Sequence, residues 1–325
     1  IVASKANNLC KDQKMTLFTP TSKWQLEEHE LFTDSVKKFF TDEVKPNLEE
    51  WGKKQQVDRA LWNKAGDAGI LGSSIPEEYG GLGLSLSVGV AILEEIHKSG
   101  CNAAACHAQM YTMGTLLRHG SEYQKQKYLP KLATGDWIGA FCLSEPEAGS
   151  DATSQSTTAI DKGDHYLLNG TKNWITNGGR AQVYLVIAQT DRTKGHKGIN
   201  AFIVERDTPG FEIGPKENKL GIRGSDTHTL QFNDVKIPKE NRIGADGFGF
   251  KFAMKTLSGG RIGIAAQALG IAAGAYELAL KYSKERKAFG TEISNHQAIA
   301  FKLAEMATDI EAARLLVYKA ALDKD

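Results

Sequence analysis

The feature that most constrains this chain is that its hydrophobic period changes twice. Leu31, Phe32, Val36, Phe39, Phe40 and Val44 recur at spacings of three and four, with Lys37, Lys38, Asp42 and Glu43 opposite. That spacing predicts an amphipathic helix, ended or kinked at Pro46. Further helices are predicted over about 59–68, over 85–98 with Ser85 as N-cap, and over 103–118. At Trp137 the pattern becomes short β-prone runs, 137–143, 165–168, 183–189, 201–205 and 229–235, separated by Gly, Asn, Asp and Pro. Asp161-Lys162-Gly163-Asp164 and Asn169-Gly170 both read as hairpin signals. From Gly249 the chain is helical again, and over 294–322 Ile299, Leu303, Met306, Ile310, Ala313 and Val317 share one face. Gly260, Gly263, Gly270 and Gly274 lie inside a helical pattern, where each costs about 0.5–1 kcal/mol against alanine. Their clustering predicts close approach by another helix or a ligand.

Helices, then strands, then helices define an α+β chain rather than a doubly wound nucleotide fold, because strands do not alternate with helices. Its 325 residues suit two or three domains of about 100–200 residues each. The expected division is a leader- or tag-like segment over 1–22 and an N-terminal helical domain over 23–135. A middle β-domain, barrel- or sandwich-like, covers 136–248. A C-terminal helical bundle, of which this is the first part, covers 249–325. Met15 reads as a natural start, and residues 3–14 lack the apolar core of a secretory signal.

A net charge of +1 gives no electrostatic case for nucleic acid or an anionic membrane as the main partner. No run of about 18 apolar residues is present, so no membrane insertion is expected. Cys10, Cys101, Cys106 and Cys142 form no CxxC pair, which points to a reducing compartment rather than a disulfide framework. The histidines show no HExxH or HxH spacing, so no metal site is expected, and His107 beside Cys106 reads as structural. GxGxxG after a strand, GxxxxGK[ST] and GxSxG are all missing. What remains is the loop from Phe141 to Asp151, a strand running into Pro- and Gly-punctuated turns that end in Gly149-Ser150-Asp151. Such a loop frees backbone N–H groups and a hydroxyl suited to an anion or a polar ring edge. Taken alone, it reads as an ordinary strand corner.

Six strings in order change that reading. They are Pro76-Glu77-Glu78-Tyr79-Gly80-Gly81-Leu82-Gly83, Leu143-Ser144-Glu145-Pro146-Glu147-Ala148-Gly149-Ser150-Asp151, and Asn169-Gly170-Thr171-Lys172-Asn173-Trp174-Ile175-Thr176-Asn177. Lys219-Leu220-Gly221-Ile222-Arg223, the run from Arg261 to Gly270, and Glu285-Arg286-Lys287-Ala288-Phe289-Gly290 follow. Across nearly its whole length the chain resembles the acyl-CoA dehydrogenases, most of all the short-chain, butyryl-type flavoenzymes.

The resemblance implies FAD as cofactor and oxidation of a saturated acyl-CoA thioester to the trans-2-enoyl-CoA, with electrons passed to an electron-transfer flavoprotein. Phe141, Cys142, Leu143, Ser144, Trp174, Ile175 and Thr176 would then line the flavin ring, with Gly149 and Ser150 in the same cradle. Ser150 would also face the CoA phosphates, with Ser258 and Arg261 as further substrate contacts. Arg286, Phe289 and Gln297 would serve the FAD, Arg286 and Gln297 reaching that of a neighbouring subunit in a homotetramer. Arg suits phosphate because its planar fork engages two oxygens.

Two positions depart from the family. Where some members carry the catalytic glutamate before the arginine, this chain has Gly260, so the base is expected beyond residue 325 and no catalytic residue is assigned. Ser258 stands where an aspartate usually meets CoA. The alternatives are a same-fold acyl-CoA oxidase or flavin monooxygenase, or a non-catalytic acyl-CoA or flavin-binding scaffold. The implied location is cytoplasmic in a bacterium and the mitochondrial matrix in a eukaryote.

Overall fold

The structure, a computed structural model, describes residues 27–100 and 104–324. Cys10, Cys101, Met15 and the segment 1–22 lie outside the described residues.

The first helix, α1 (Glu27–Phe39), continues through a wide turn at Phe40–Val44 and a tight one at Lys45–Asn47 that holds Pro46. Val36, Phe40 and Val44 are its buried face, whereas Leu31 is exposed. Then come α2 (Leu48–Lys54), α3 (Arg59–Asp67), α4 (Leu86–Lys98), α5 (Ala104–His119) and α6 (Glu122–Ala133). Ser85 occupies the N-cap position of α4, but its hydroxyl pairs with that of Ser87 at 2.7 Å instead of capping an amide. Sequence reading missed α6, although a capping box starts it: Gln124 N–H donates to Ser121 Oγ at 3.2 Å and Ser121 N–H to Gln124 Oε1 at 3.0 Å.

Eight strands form the central sheet: β1 (Gly139–Cys142), β2 (Thr158–Asp161), β3 (His165–Thr176), β4 (Val183–Gln189), β5 (Ile199–Glu205), β6 (Phe211–Lys216), β7 (Thr227–Pro238) and β8 (Arg242–Ile243). Their order is β6-β7-β3-β2-β4-β5-β8, with β1 parallel to β4. The turn from Asp161 to Asp164 joins β2 to β3 as expected. Asn169-Gly170 does not turn; β3 runs through it with a register shift, and Gly170 takes φ +145°. The glycine there makes a bulge, with Thr157 packed so close that a β-carbon would meet its Oγ1 at 2.5 Å.

The chain then enters α7 (Gly249–Glu285), a short hairpin of β9 (Lys287–Ala288) and β10 (Thr291–Glu292), and α8 (Gln297–Leu322). By length and composition alone α7 could cross a membrane, contrary to the reading of the sequence, yet it packs along α4, α8 and β5. Its glycines permit this contact. A β-carbon at Gly270 would fall 2.3 Å from the Glu94 carbonyl, and one at Gly274 would fall 2.7 Å from that of Lys98. Ion pairs across the bundle, Arg314 to Glu94 at 2.8 Å and Lys98 to Glu277 at 2.6 Å, fix the register. Of the predicted face of α8, Leu303, Ile310 and Val317 are buried, while Met306 is exposed, as is Ala313. Spacing by seven is a narrow seam, so only part of the predicted face has a neighbour.

Candidate active site

Two strand ends converge where the sheet meets the helices. β1 delivers Phe141 and Cys142 and then exits into Leu143 and Ser144, whose carbonyl accepts from Asn173 N–H at 2.9 Å. β3 brings Trp174 alongside. The ladder slips between Lys172 and Ile175, and Trp174 takes φ +62°, a conformation rare for a bulky residue. A bulge re-aims a side chain, and here it turns the indole outward, leaving it 62% exposed while Ile175 stays buried.

A buried ion pair holds the two ends together. Lys172 Nζ lies 2.7 Å from Glu145 Oε1 and also donates to the Leu143 carbonyl at 2.9 Å. Both side chains are almost wholly out of water. Glu145 also accepts from Ser156 N–H at 2.5 Å and Ser156 Oγ at 2.9 Å. Burial raises the Glu145 carboxyl, but Lys172 and these donors outweigh it and hold it below the usual carboxylate range. A carboxylate so engaged clamps the loop and is not a free base. The sequence reading placed Glu145 in a motif without finding its partner.

Phe141 forms the other wall. Its ring stacks on Phe252 of α7, centroids 6.2 Å apart, and meets Tyr111 of α5 edge-on at 5.8 Å. Cys142 is fully buried and burial pushes its thiol well up, so only its backbone is placed for contact. Behind Phe141 lies a cavity of about 80 Å³ between α4, α5 and α7, lined by Val90, Leu93, His107, Met110, Tyr111 and Gly263. Sequence reading missed this cavity, since its walls come from three helices far apart in the chain. Gly259 and Gly260 line its mouth, which puts exposed Ser258 and Arg261 beside it. A larger open groove of about 570 Å³ between α6 and the β5–β6 edge touches none of the predicted site residues.

The other predicted residues lie elsewhere. Gly149 and Ser150 are exposed on the loop past Glu145, and a β-carbon at Gly149 would touch nothing. Arg286, Phe289 and Gln297 are exposed at the far end of α7, Phe289 at 98%. At 1.5 Å per residue, Arg286 is about 50 Å along the helix from Phe252. It cannot serve the site of its own chain.

Three family models cover the chain in order: the acyl-CoA dehydrogenase N-terminal domain over residues 26–136, the middle domain over 140–235 and the C-terminal domain over 247–325. The chain belongs to the acyl-CoA dehydrogenase family. A short-chain specific acyl-CoA dehydrogenase of Clostridium acetobutylicum is 48% identical over 296 residues, 90% of this chain and 78% of that protein. The butyryl-CoA dehydrogenase structure of Megasphaera elsdenii superimposes with TM-score 0.90 at 44% identity, over 92% of this chain and 80% of that one. A structure described as the electron transferring flavoprotein of Acidaminococcus fermentans gives TM-score 0.91 at 48% identity, over 93% and 80%. As an acyl-CoA dehydrogenase the chain is an oxidoreductase, and its α+β architecture is the family's.

Proposed function

We propose that this acyl-CoA dehydrogenase oxidises a short saturated acyl-CoA thioester between its α and β carbons to the trans-2-enoyl-CoA and passes the electrons to an electron-transfer flavoprotein. One observation carries the reading: a small helix-walled cavity lined by Tyr111 lies beside a strand-end cradle whose Phe141 meets Tyr111 edge-on. The cradle fits a flavin. It offers an exposed indole for a ring to stack on, polar edges from Ser144 and Thr176, and the buried Oδ1 of Asn173, which has no partner among the described residues. Residues 141–144 and 174–176 would hold FAD, with Gly149 and Ser150 at its edge and Arg286, Phe289 and Gln297 reaching a neighbouring protomer of a homotetramer. When bound, FAD supplies the acceptor for the hydride leaving the β-carbon.

The protein's own part is placement and exclusion of water. Tyr111, against which Phe141 packs, lines the cavity on one side, and Leu93 and Val90 pack the acyl tail on the other. Ser258 and Arg261 at the mouth are set for the CoA portion. Among the described residues the cavity lining contains no carboxylate, so none of them is assigned the α-proton.

Anaerobic addition of butyryl-CoA to the purified holoenzyme should bleach the flavin absorbance, and electron-transfer flavoprotein should restore it. Absence of bleaching by every saturated acyl-CoA tested would refute the reading. Fast reoxidation by oxygen alone would assign an oxidase instead.

A further inference from the structure

The cavity behind Phe141 is not lined by apolar groups alone. Most polar side chains on the inner face of α5 are satisfied by protein. Gln109 donates to the carbonyls of Leu132 and Trp137, Thr112 to that of Ala108, and Thr115 to that of Tyr111. His107 and Tyr111 are different. They lie one helical turn apart, both line the cavity, and no hydrogen bond reaches the imidazole nitrogens or the phenol among the described residues. His107 is 8% exposed, and burial pulls its pKa down to about 4, so it is a neutral ring offering one donor and one acceptor. The ring has little freedom to leave. A β-carbon at Gly263 would fall 2.4 Å from Nε2, and the rings of His97 and Tyr111 flank it with centroids at 5.9 Å and 6.2 Å.

Polar groups such as these, facing one small space that Arg118 and Lys324 also line, are costly beside a hydrocarbon, because nothing in it replaces water as a partner. They are well matched to a ligand that carries its own hydrogen-bonding group. Size narrows the choice: the cavity is near half the volume of about 150 Å³ that admits benzene. A few carbon atoms with one oxygen fit.

We propose that His107 and Tyr111 are specificity-determining residues that select a short acyl-CoA bearing a hydroxyl or carbonyl oxygen near the end of its chain over the plain alkyl thioester. The proposal rests on the acyl-CoA dehydrogenase reading above and names the substrate class within it.

The test compares kcat/KM for butyryl-CoA and 4-hydroxybutyryl-CoA in the full-length holoenzyme and in Tyr111→Phe and His107→Leu variants with intact flavin spectra. Sites built to bond a hydroxyl reject the analogue lacking it far more strongly than apolar pockets discriminate by size. The hydroxylated substrate should be preferred by about tenfold or more, and each variant should lower that ratio by about tenfold. Tyr111→Phe removes a single oxygen, so it reports even if His107→Leu folds poorly. A wild-type preference for butyryl-CoA, or a ratio that neither variant moves, overturns the inference and leaves the dehydrogenase reading standing. Flavin reduction by neither substrate overturns both.

Discussion

At the scale of single residues, the site is organised by groups whose importance depends on what they touch. Lys172 illustrates this. Removing one member of a buried pair leaves the other charge unpaired, so Lys172→Met should cost about 3–5 kcal/mol in urea unfolding. Adding Glu145→Gln should recover part of the loss; additive losses would show that the pair is not the source. Trp174→Ala is expected to lower the flavin content of purified protein several-fold with its far-UV circular dichroism intact, because the exposed indole does not support the fold. Full flavin occupancy in that variant would remove Trp174 from the cradle. Trp174 was legible in the sequence through its motif. The bulge that exposes it was not, because a register shift is a relation between two strands.

At the scale of elements, close approach decides more than propensity. Gly270→Ala should favour an isolated helix, yet it places a methyl group against the Glu94 backbone in the α4–α7 contact. The expected net cost is about 1–3 kcal/mol, read as a lower Tm; a stabilised protein would mean that the helices can part freely. A second element-level device braces the turn after β3. His228 Nε2 faces Asp226 Oδ1 at 2.8 Å and its Nδ1 faces the Gly214 carbonyl at 2.7 Å, so both nitrogens must donate and the ring is an imidazolium. Asp226 also accepts from Gly179 N–H at 2.8 Å, and its carbonyl accepts from Asn177 N–H at 2.8 Å. The hydrogen bond to Asp226 raises the His228 pKa above its ordinary value. A raised folded-state value means this stabilisation is complete below about pH 6.5 and is lost as pH climbs through the folded-state value. Tm should therefore fall from pH 6.5 towards pH 9, and His228→Asn should flatten that fall. Equal slopes in the two proteins would rule the pair out as the cause.

At the scale of the whole molecule, the apolar surface argues for assembly. Leu257, Ile264, Ile271 and Leu278 repeat every seventh residue on the outer face of α7 and are all exposed, as are Phe301, Leu315 and Leu316 on α8. Ile271→Lys should reduce the mass measured by light scattering, and an unchanged mass would place the stripe outside any interface. The sequence by itself determined the three-part order of helices, strands and helices, because the hydrophobic period is a local property of consecutive residues. It also marked the segments proposed to hold the cofactor, because their strings are contiguous. The tertiary structure alone decided which residues meet. It paired Lys172 with Glu145 across 27 positions, separated Arg286 from the site of its own chain by the length of α7, and turned His107 and Tyr111 into one cavity. Contacts made by distant segments depend on packing and register, which no local pattern encodes.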